Sequence, residues 1–185
     1  MKKVIVITGT PGSGKTTIAI ALSKRLNKSK LISVNQVVKE KRLFSSYSKD
    51  GARIVKLNGL KKELEKRIAA SKGTVILDGH LLCELRISGA TAIVIREHLS
   101  TLKSRLLKRG YSIGKVRDNI VSEAIDYCGE KARQNYPNTF EVLSGKDATI
   151  SILRIIKGKR TENRDFDMLS ELPNLIKKDK RFAIE

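Results

Sequence analysis

A chain of 185 residues, 40% hydrophobic and 31% charged, is long enough for one soluble domain with a full core. It has no apolar run near the ~20 residues of a membrane span, and the apolar stretch at residues 4–7 is too short for a secretory leader. Lys plus Arg number 38 against 19 Asp plus Glu, a formal +19, which suits phosphate-rich partners such as RNA or serves solubility alone; with 4% aromatics and no Trp, a base-stacking platform is not expected.

Residues 3–8 form a β-branched apolar run that predicts a buried parallel strand. A glycine-rich loop follows, and Thr17 to Leu26 sets Ile18, Ala21, Leu22 and Leu26 on one helical face. Leu31 to Val34 reads as a second strand. Between Asn35 and Asn58 the pattern weakens, with loops at Ser45-Ser46 and Lys49-Asp50-Gly51. Leu60, Leu64 and Ile68 predict a helix ending near Gly73, and Thr74 to Asp78 and Ala92 to Arg96 two further strands. Leu99, Leu102 and Leu106 mark a helix that stops at Gly110; Tyr111 to Gly114 is a break, and Lys115 to about Asn135 reads as one long helix. Thr139 to Leu143 is a fifth strand, followed by a helix on Ala148, Ile152, Ile155 and Ile156. The last 28 residues, 158–185, are charged but carry Phe166, Met168, Leu169, Leu172, Leu175 and Ile176, the signature of a short amphipathic helix docked on the body. Strands alternating with helices predict one α/β domain with a five-stranded parallel sheet covered on both faces. Cys83 and Cys128 match no metal-ligand spacing and read as reduced thiols of a cytoplasmic protein.

The segment Gly9-Thr10-Pro11-Gly12-Ser13-Gly14-Lys15-Thr16 matches the phosphate-binding loop in full, between a strand and a helix. Glycines let backbone N–H groups curl around an anion, and the helix N-terminus adds a favourable field. In such a loop Lys15 neutralises the β- and γ-phosphates of ATP and Thr16 ligates Mg²⁺. Asp78 ends a strand otherwise made for burial, where it serves either the Mg²⁺ shell or the cap of a following turn. His80, two residues on, either orients water or moves a proton, or is a plain loop histidine. Arg105 and Arg109 share a helix face, as a polyphosphate clamp or as a solvated basic surface; Arg96 is a weaker candidate of the same kind.

Gly9 to Thr17 (GTPGSGKTT), Val75 to His80 (VILDGH) and Leu107 to Asn119 (LKRGYSIGKVRDN) occur in the order of the archaeal and eukaryotic adenylate kinase-like ATPases. Eukaryotic members of that family are nuclear adenylate kinases that assist small-ribosomal-subunit assembly. The chain also resembles the family at Ile32 to Asn35, Asn119-Ile120 with Glu123, and Asp167 to Leu172. The resemblance implies a P-loop NTPase three-layer sandwich with a nucleoside-monophosphate arm at 33–56 and a short lid at 109–118. It implies ATP contacts from Gly12, Ser13, Gly14, Lys15, Thr16, Thr17 and Arg109, metal binding at Thr16 and Asp78, and support of hydrolysis by Asp78 and His80. Lys15, Asp78, His80, Arg105 and Arg109 are then the catalytic set. AMP is the expected acceptor, and a small-subunit ribosomal protein and rRNA the expected partners. The arm departs from the family's acidic pattern: Phe44 to Arg53 is mostly neutral or basic. Arg42 and Arg53 remain alternatives for an acceptor phosphate, and an ATPase switch or a kinase for another small acceptor remain alternatives for the activity.

Overall fold

The computed structural model describes residues 3–47, 53–159 and 166–182. β1 (Val4–Thr8) is buried along its whole length. Its side chains alternate between two cores, as a pleated strand requires. Val4 and Val6 join Val75, Leu77, Ala92 and Val94 on one face, whereas Ile5 and Ile7 join Ile76, Ile93 and Ile95 on the other.

In chain order, β1 leads into α1 (Lys15–Arg25), β2 (Ser29–Ser33), α2 (Val34–Glu40), β3 (Phe44–Tyr47), β4 (Arg53–Val55) and α3 (Leu57–Ala69). β5 (Thr74–Asp78), a 3-10 turn (His80–Glu84), β6 (Ala90–Arg96), α4 (Leu99–Lys108), α5 (Ile113–Ala124) and α6 (Tyr127–Asn135) follow. β7 (Asn138–Leu143), α7 (Ala148–Ile156) and α8 (Leu172–Lys178) complete the chain. The main sheet has the order β2-β5-β1-β6-β7, with every neighbouring pair parallel. Val37, Leu60, Leu64 and Ala132 cover one face from α2, α3 and α6; Ile18, Leu22 and Ile152 cover the other from α1 and α7. This is the three-layer α/β sandwich expected of a P-loop NTPase.

Several boundaries differ from the sequence reading. Val34 begins α2 rather than ending a strand, and the weakly patterned stretch after it holds that helix and the antiparallel pair β3–β4. Gly114 lies inside α5 rather than in the break before it. The long helix expected over 115–135 is two helices. Asp126 takes a left-handed backbone (φ 54) and its carboxylate accepts from the Gly129 N–H at 3.2 Å, capping α6. A Cβ at Gly129 would stand 2.3 Å from that carboxylate, so glycine permits the cap. The two helices pack into different cores, Val116 and Ile120 of α5 beside α4 and Ala132 of α6 against the sheet.

A third core holds Leu99, Leu102, Leu106, Val116 and Ile120 against Met168, Leu172, Leu175 and Phe182 of the C-terminal segment. Glu171 ties that segment to the start of α4: its Oε2 accepts from the Leu99 N–H at 2.9 Å and its Oε1 lies 2.5 Å from His98 Nδ1. Lys103 adds an ion pair to Asp179 at 3.0 Å and stands 4.8 Å from the centre of the Phe182 ring. α4 is thus held from behind while its other flank meets the phosphate loop.

Candidate active site

The parallel register brings the carboxyl ends of β1, β2 and β5 to one edge: Asp78 is level with both Ile7 and Ser33. In open α/β sheets this edge is where ligands bind. The glycine-rich loop leaves β1 there and turns into α1, whose N-terminus carries no side-chain cap. Its first N–H groups are therefore available to an anion. Gly12 has φ +95, and a Cβ on it would lie 2.8 Å from Leu102 Cδ1, so the loop packs against α4 only because glycine stands there.

Lys15 is 8% exposed, and its ammonium donates to the Thr10 carbonyl at 2.7 Å. Burial lowers its pKa to about 8, against the opposing pull of nearby acids that include Asp78. Asp78 is 4% exposed; its Oδ2 accepts from the Thr16 hydroxyl at 2.7 Å. Burial raises the carboxyl pKa, opposed by the Thr16 hydrogen bond and the Lys15 charge. Its second oxygen, Oδ1, is buried without a hydrogen-bond partner among the described residues, as are Thr10 Oγ1 and Ser13 Oγ. Buried polar atoms left open in this way are costly unless a ligand completes them. A carboxylate oxygen beside a hydroxyl, facing a phosphate loop, is a donor set that fits Mg²⁺ carried in on a polyphosphate. No cluster of three or more His, Cys, Asp or Glu able to cage a metal by itself exists among the described residues.

A cavity of about 450 Å³ opens over this edge. Gly12, Gly14, Lys15, Thr16, Thr17, Asp78, His80 and Arg109 all line it. His80 begins the turn after β5, and burial, with the Lys15 charge, lowers its pKa to about 4, so the ring is neutral near pH 7. Arg105 stands beside the cavity rather than in its wall. Its guanidinium donates to the Gly12 carbonyl at 3.2 Å and pairs with Glu97 at 2.6 Å, fastening α4 to the loop. Arg96 is elsewhere altogether: it is 2% exposed and bonded to Glu123 at 2.9 Å and Glu141 at 2.7 Å. That side chain knits β6, β7 and α5 together and offers nothing to a phosphate.

Sequence reasoning overlooked Asn35, Tyr111, Lys115 and Asn119, which also line the cavity. Lys115 and Asn119 are four apart on α5, and the Asn119 amide donates to the Lys115 carbonyl at 2.6 Å. Their spacing just past the Arg-Gly-Tyr segment was the available signal. Val38 of α2 and Val55 of β4 line the cavity together with Asn35. Arg42 is exposed at φ 49 and does not line the cavity, and the Arg53 side chain lies outside the described residues.

Sheet order, phosphate loop and the Thr16–Asp78 pair define a P-loop protein with the architecture of small kinases. Solved structures with this fold include shikimate kinase from Bacteroides thetaiotaomicron, at TM-score 0.53 and 19% identity over 85% of this chain and 97% of that one. Another is the tunicamycin resistance protein of Deinococcus radiodurans, at TM-score 0.60 and 17% identity over 89% and 100%. The AAA domain family matches residues 5–126. A protein of Methanocaldococcus jannaschii named "Putative adenylate kinase" is 38% identical over 67% of this chain and 68% of its own length. Proteins of the same name from Methanosarcina acetivorans and Pyrococcus furiosus are each 34% identical over 75% of this chain, and 75% and 73% of their own lengths. The chain belongs to this adenylate kinase-like P-loop family.

Proposed function

We propose that this chain is a nucleotide kinase of the adenylate kinase type, transferring the γ-phosphoryl group of ATP to AMP to give two ADP. The observation that carries the reading is one cavity bounded by the phosphate loop, the end of β5, the Arg109–Asn119 segment and the arm. Donor and acceptor would meet inside it, with water excluded by closure of those two flanks.

Phosphoryl transfer asks a protein for positioning and charge rather than covalent chemistry. Lys15, already stripped of water, exchanges its contact with Thr10 for phosphate oxygens. Those oxygens restore its full positive charge by raising its pKa. Arg109 and Lys115 supply further positive charge from the lid side as charge shifts between the phosphates. Thr16 and Asp78 would hold Mg²⁺, which neutralises the β- and γ-phosphates when bound. His80, neutral near pH 7, acts as a hydrogen-bonding group at the base of the cavity. Its depressed pKa makes it a weak proton acceptor.

The pairing of Asp78 with His80 and the +19 charge favour a second reading, an ATPase that acts on ribosomal precursors through a small-subunit protein and rRNA. ADP formation from Mg·ATP by pure protein, with and without AMP, separates the two. A large AMP-dependent rate, abolished in Lys15→Ala, supports the kinase. A slow rate indifferent to AMP overturns it in favour of the ATPase. His80→Ala is expected to bind ATP with unchanged affinity in either case.

A further inference from the structure

Cys83 and Cys128 are distant in sequence, yet their Sγ atoms lie 3.8 Å apart. Both are free, and they are 2% and 7% exposed. Cys83 sits in the turn His80–Glu84 that places His80 in the active cavity, and Cys128 is the second residue of α6. Cys83 Sγ is also 3.1 Å from the His80 carbonyl, which accepts from the Thr8 hydroxyl at 3.1 Å as well. Further along, the Leu82 and Cys83 carbonyls accept from Tyr136 Oη and Asn135 Nδ2, each at 2.8 Å. The turn is therefore hung on α6, β1 and this thiol pair.

A second cavity, about 320 Å³, is lined by both cysteines. It shares Pro11, His80, Leu81 and Asn119 with the active cavity, so the two adjoin. A molecule the size of a hydroperoxide fits there many times over, given the ~30 Å³ share of a water.

We propose that Cys83 and Cys128 are a reversible oxidation site, forming an intramolecular disulfide when hydrogen peroxide enters through this second cavity, and thereby displacing the His80 turn. Cys83 is drawn below the ordinary thiol range by its hydrogen bond with Cys128, and Cys128 is pushed up by the same contact and by burial. Both sulfurs line the second cavity, so either can attack, and the Cys83 route is the one its lowered pKa favours. Its thiolate attacks one peroxide oxygen, breaking the O–O bond, to give a sulfenic acid and hydroxide. The hydroxide takes the Cys128 proton. The Cys128 thiolate then attacks the Cys83 sulfur and expels a second hydroxide, which is protonated to water by the proton first released from Cys83. Two electrons pass from the thiols to the peroxide, which ends as two waters. The sulfurs must close from 3.8 Å to the ~2.05 Å of a disulfide, and the thiol contact to the His80 carbonyl is lost.

The test uses the full chain, reduced, desalted and then exposed to hydrogen peroxide. Thiols are counted in denaturant, intact mass is measured, and ADP formation and ATP affinity are followed. The expected result is loss of both thiols and of two hydrogens per chain without cross-linked dimers. ADP formation should fall by on the order of tenfold to a hundredfold, the cost of displacing a site group by ~1 Å, with ATP affinity unchanged. Dithiothreitol should restore both thiols and rate. Cys83→Ser and Cys128→Ser, with Cys83→Ala as a second variant at the more buried position, should keep their rate through the treatment. Two titratable thiols after treatment, or cross-linked dimers, would overturn the site; an intramolecular disulfide with an unchanged rate would overturn its effect on the turn. The effect on rate rests on the catalytic reading above, but thiol count and mass need no turnover, so the two can fail separately.

Discussion

The two walls of the cleft are built by different means. On the phosphate side, Lys15 and Asp78 are 8% and 4% exposed and are fixed by the ends of buried strands and the first turn of an eleven-residue helix. On the arm side, Asn35 projects from a seven-residue helix and Val55 ends a three-residue strand paired outside the main sheet. The first wall carries charge in a low-dielectric setting, where each group is worth far more than in water. Among the described residues the second offers one amide and two apolar surfaces. Charge is therefore concentrated where the sheet is rigid, and under the proposed kinase reading the choice of acceptor would fall to short elements that can change without disturbing the core.

If that contrast is sound, its largest consequence falls on Lys15. Lys15→Ala should lower the ADP-forming rate by at least ~10²–10³-fold, the scale of losing one aimed charge at a transferring group. The variant should fold, because alanine removes a buried ammonium whose hydrogen-bond partner among the described residues is the Thr10 carbonyl. Steady-state rates alongside a thermal melt check both halves. Comparable damage from a single arm substitution would break the contrast.

The phosphate wall was legible in the sequence because its demands are local. Glycine is required at positions 9, 12 and 14, where φ is positive, and Lys15 and Thr16 must follow immediately. Asp78 was legible because nothing in a buried strand explains an acid. The fold was legible for a related reason: strands buried on both faces are written as continuous β-branched runs. The arm was not legible, since α2 is too short to show a period and β3 and β4 gain their register from each other. The split between α5 and α6 hid in a similar way. Its signal is an Asp three residues before a Gly, weaker than the apolar pattern running across it. Arg96 stood in the sequence as a weaker phosphate-clamp candidate, because strand position alone gives no hint of Glu123 and Glu141 waiting on other elements.

The next largest effect separates two arginines that the sequence presented as a pair. Arg109 lines the cavity, so Arg109→Ala should lower kcat by on the order of 10–10²-fold with a smaller change in ATP affinity. Arg105 instead holds the Gly12 carbonyl and leaves Glu97, 4% exposed, without its partner when removed. Arg105→Ala should cost about 1–2 kcal/mol after allowance for its solvent exposure, lowering Tm by roughly 2–8 °C for a chain of this size. Equal losses of kcat with no change in Tm would return Arg105 to a direct role.

A third effect, about tenfold, concerns pH. Lys15 in the free protein has its pKa lowered to about 8 from an ordinary 10.5. Between those values the unfolded chain holds more protons than the folded one, so this group makes the ligand-free protein more stable as pH rises from 8 to 10.5. ATP needs the protonated form, so its affinity should fall by up to about tenfold per pH unit above pH 8. Melts with and without ATP across this window should therefore converge as pH rises. Proton uptake on binding near pH 8, read by calorimetry in buffers of different ionisation heat, is the direct check.

The smallest expected effect lies on the arm. Asn35 is exposed on α2, carries no charge, and lines the cavity. A neutral hydrogen bond contributes about 0.5–1.5 kcal/mol net, so Asn35→Ala should raise the KM for AMP by roughly twofold to tenfold. The KM for ATP and kcat at saturation should hold, because the phosphate loop and Asp78 are fixed by the sheet and not by α2. The measurement is a full matrix of initial rates over both substrates for the variant and the parent chain. A rise confined to AMP places the acceptor against the arm and leaves the two walls independent. A rise confined to ATP would mean that the donor base leans on α2, and the division of labour between rigid sheet and short elements would have to be redrawn.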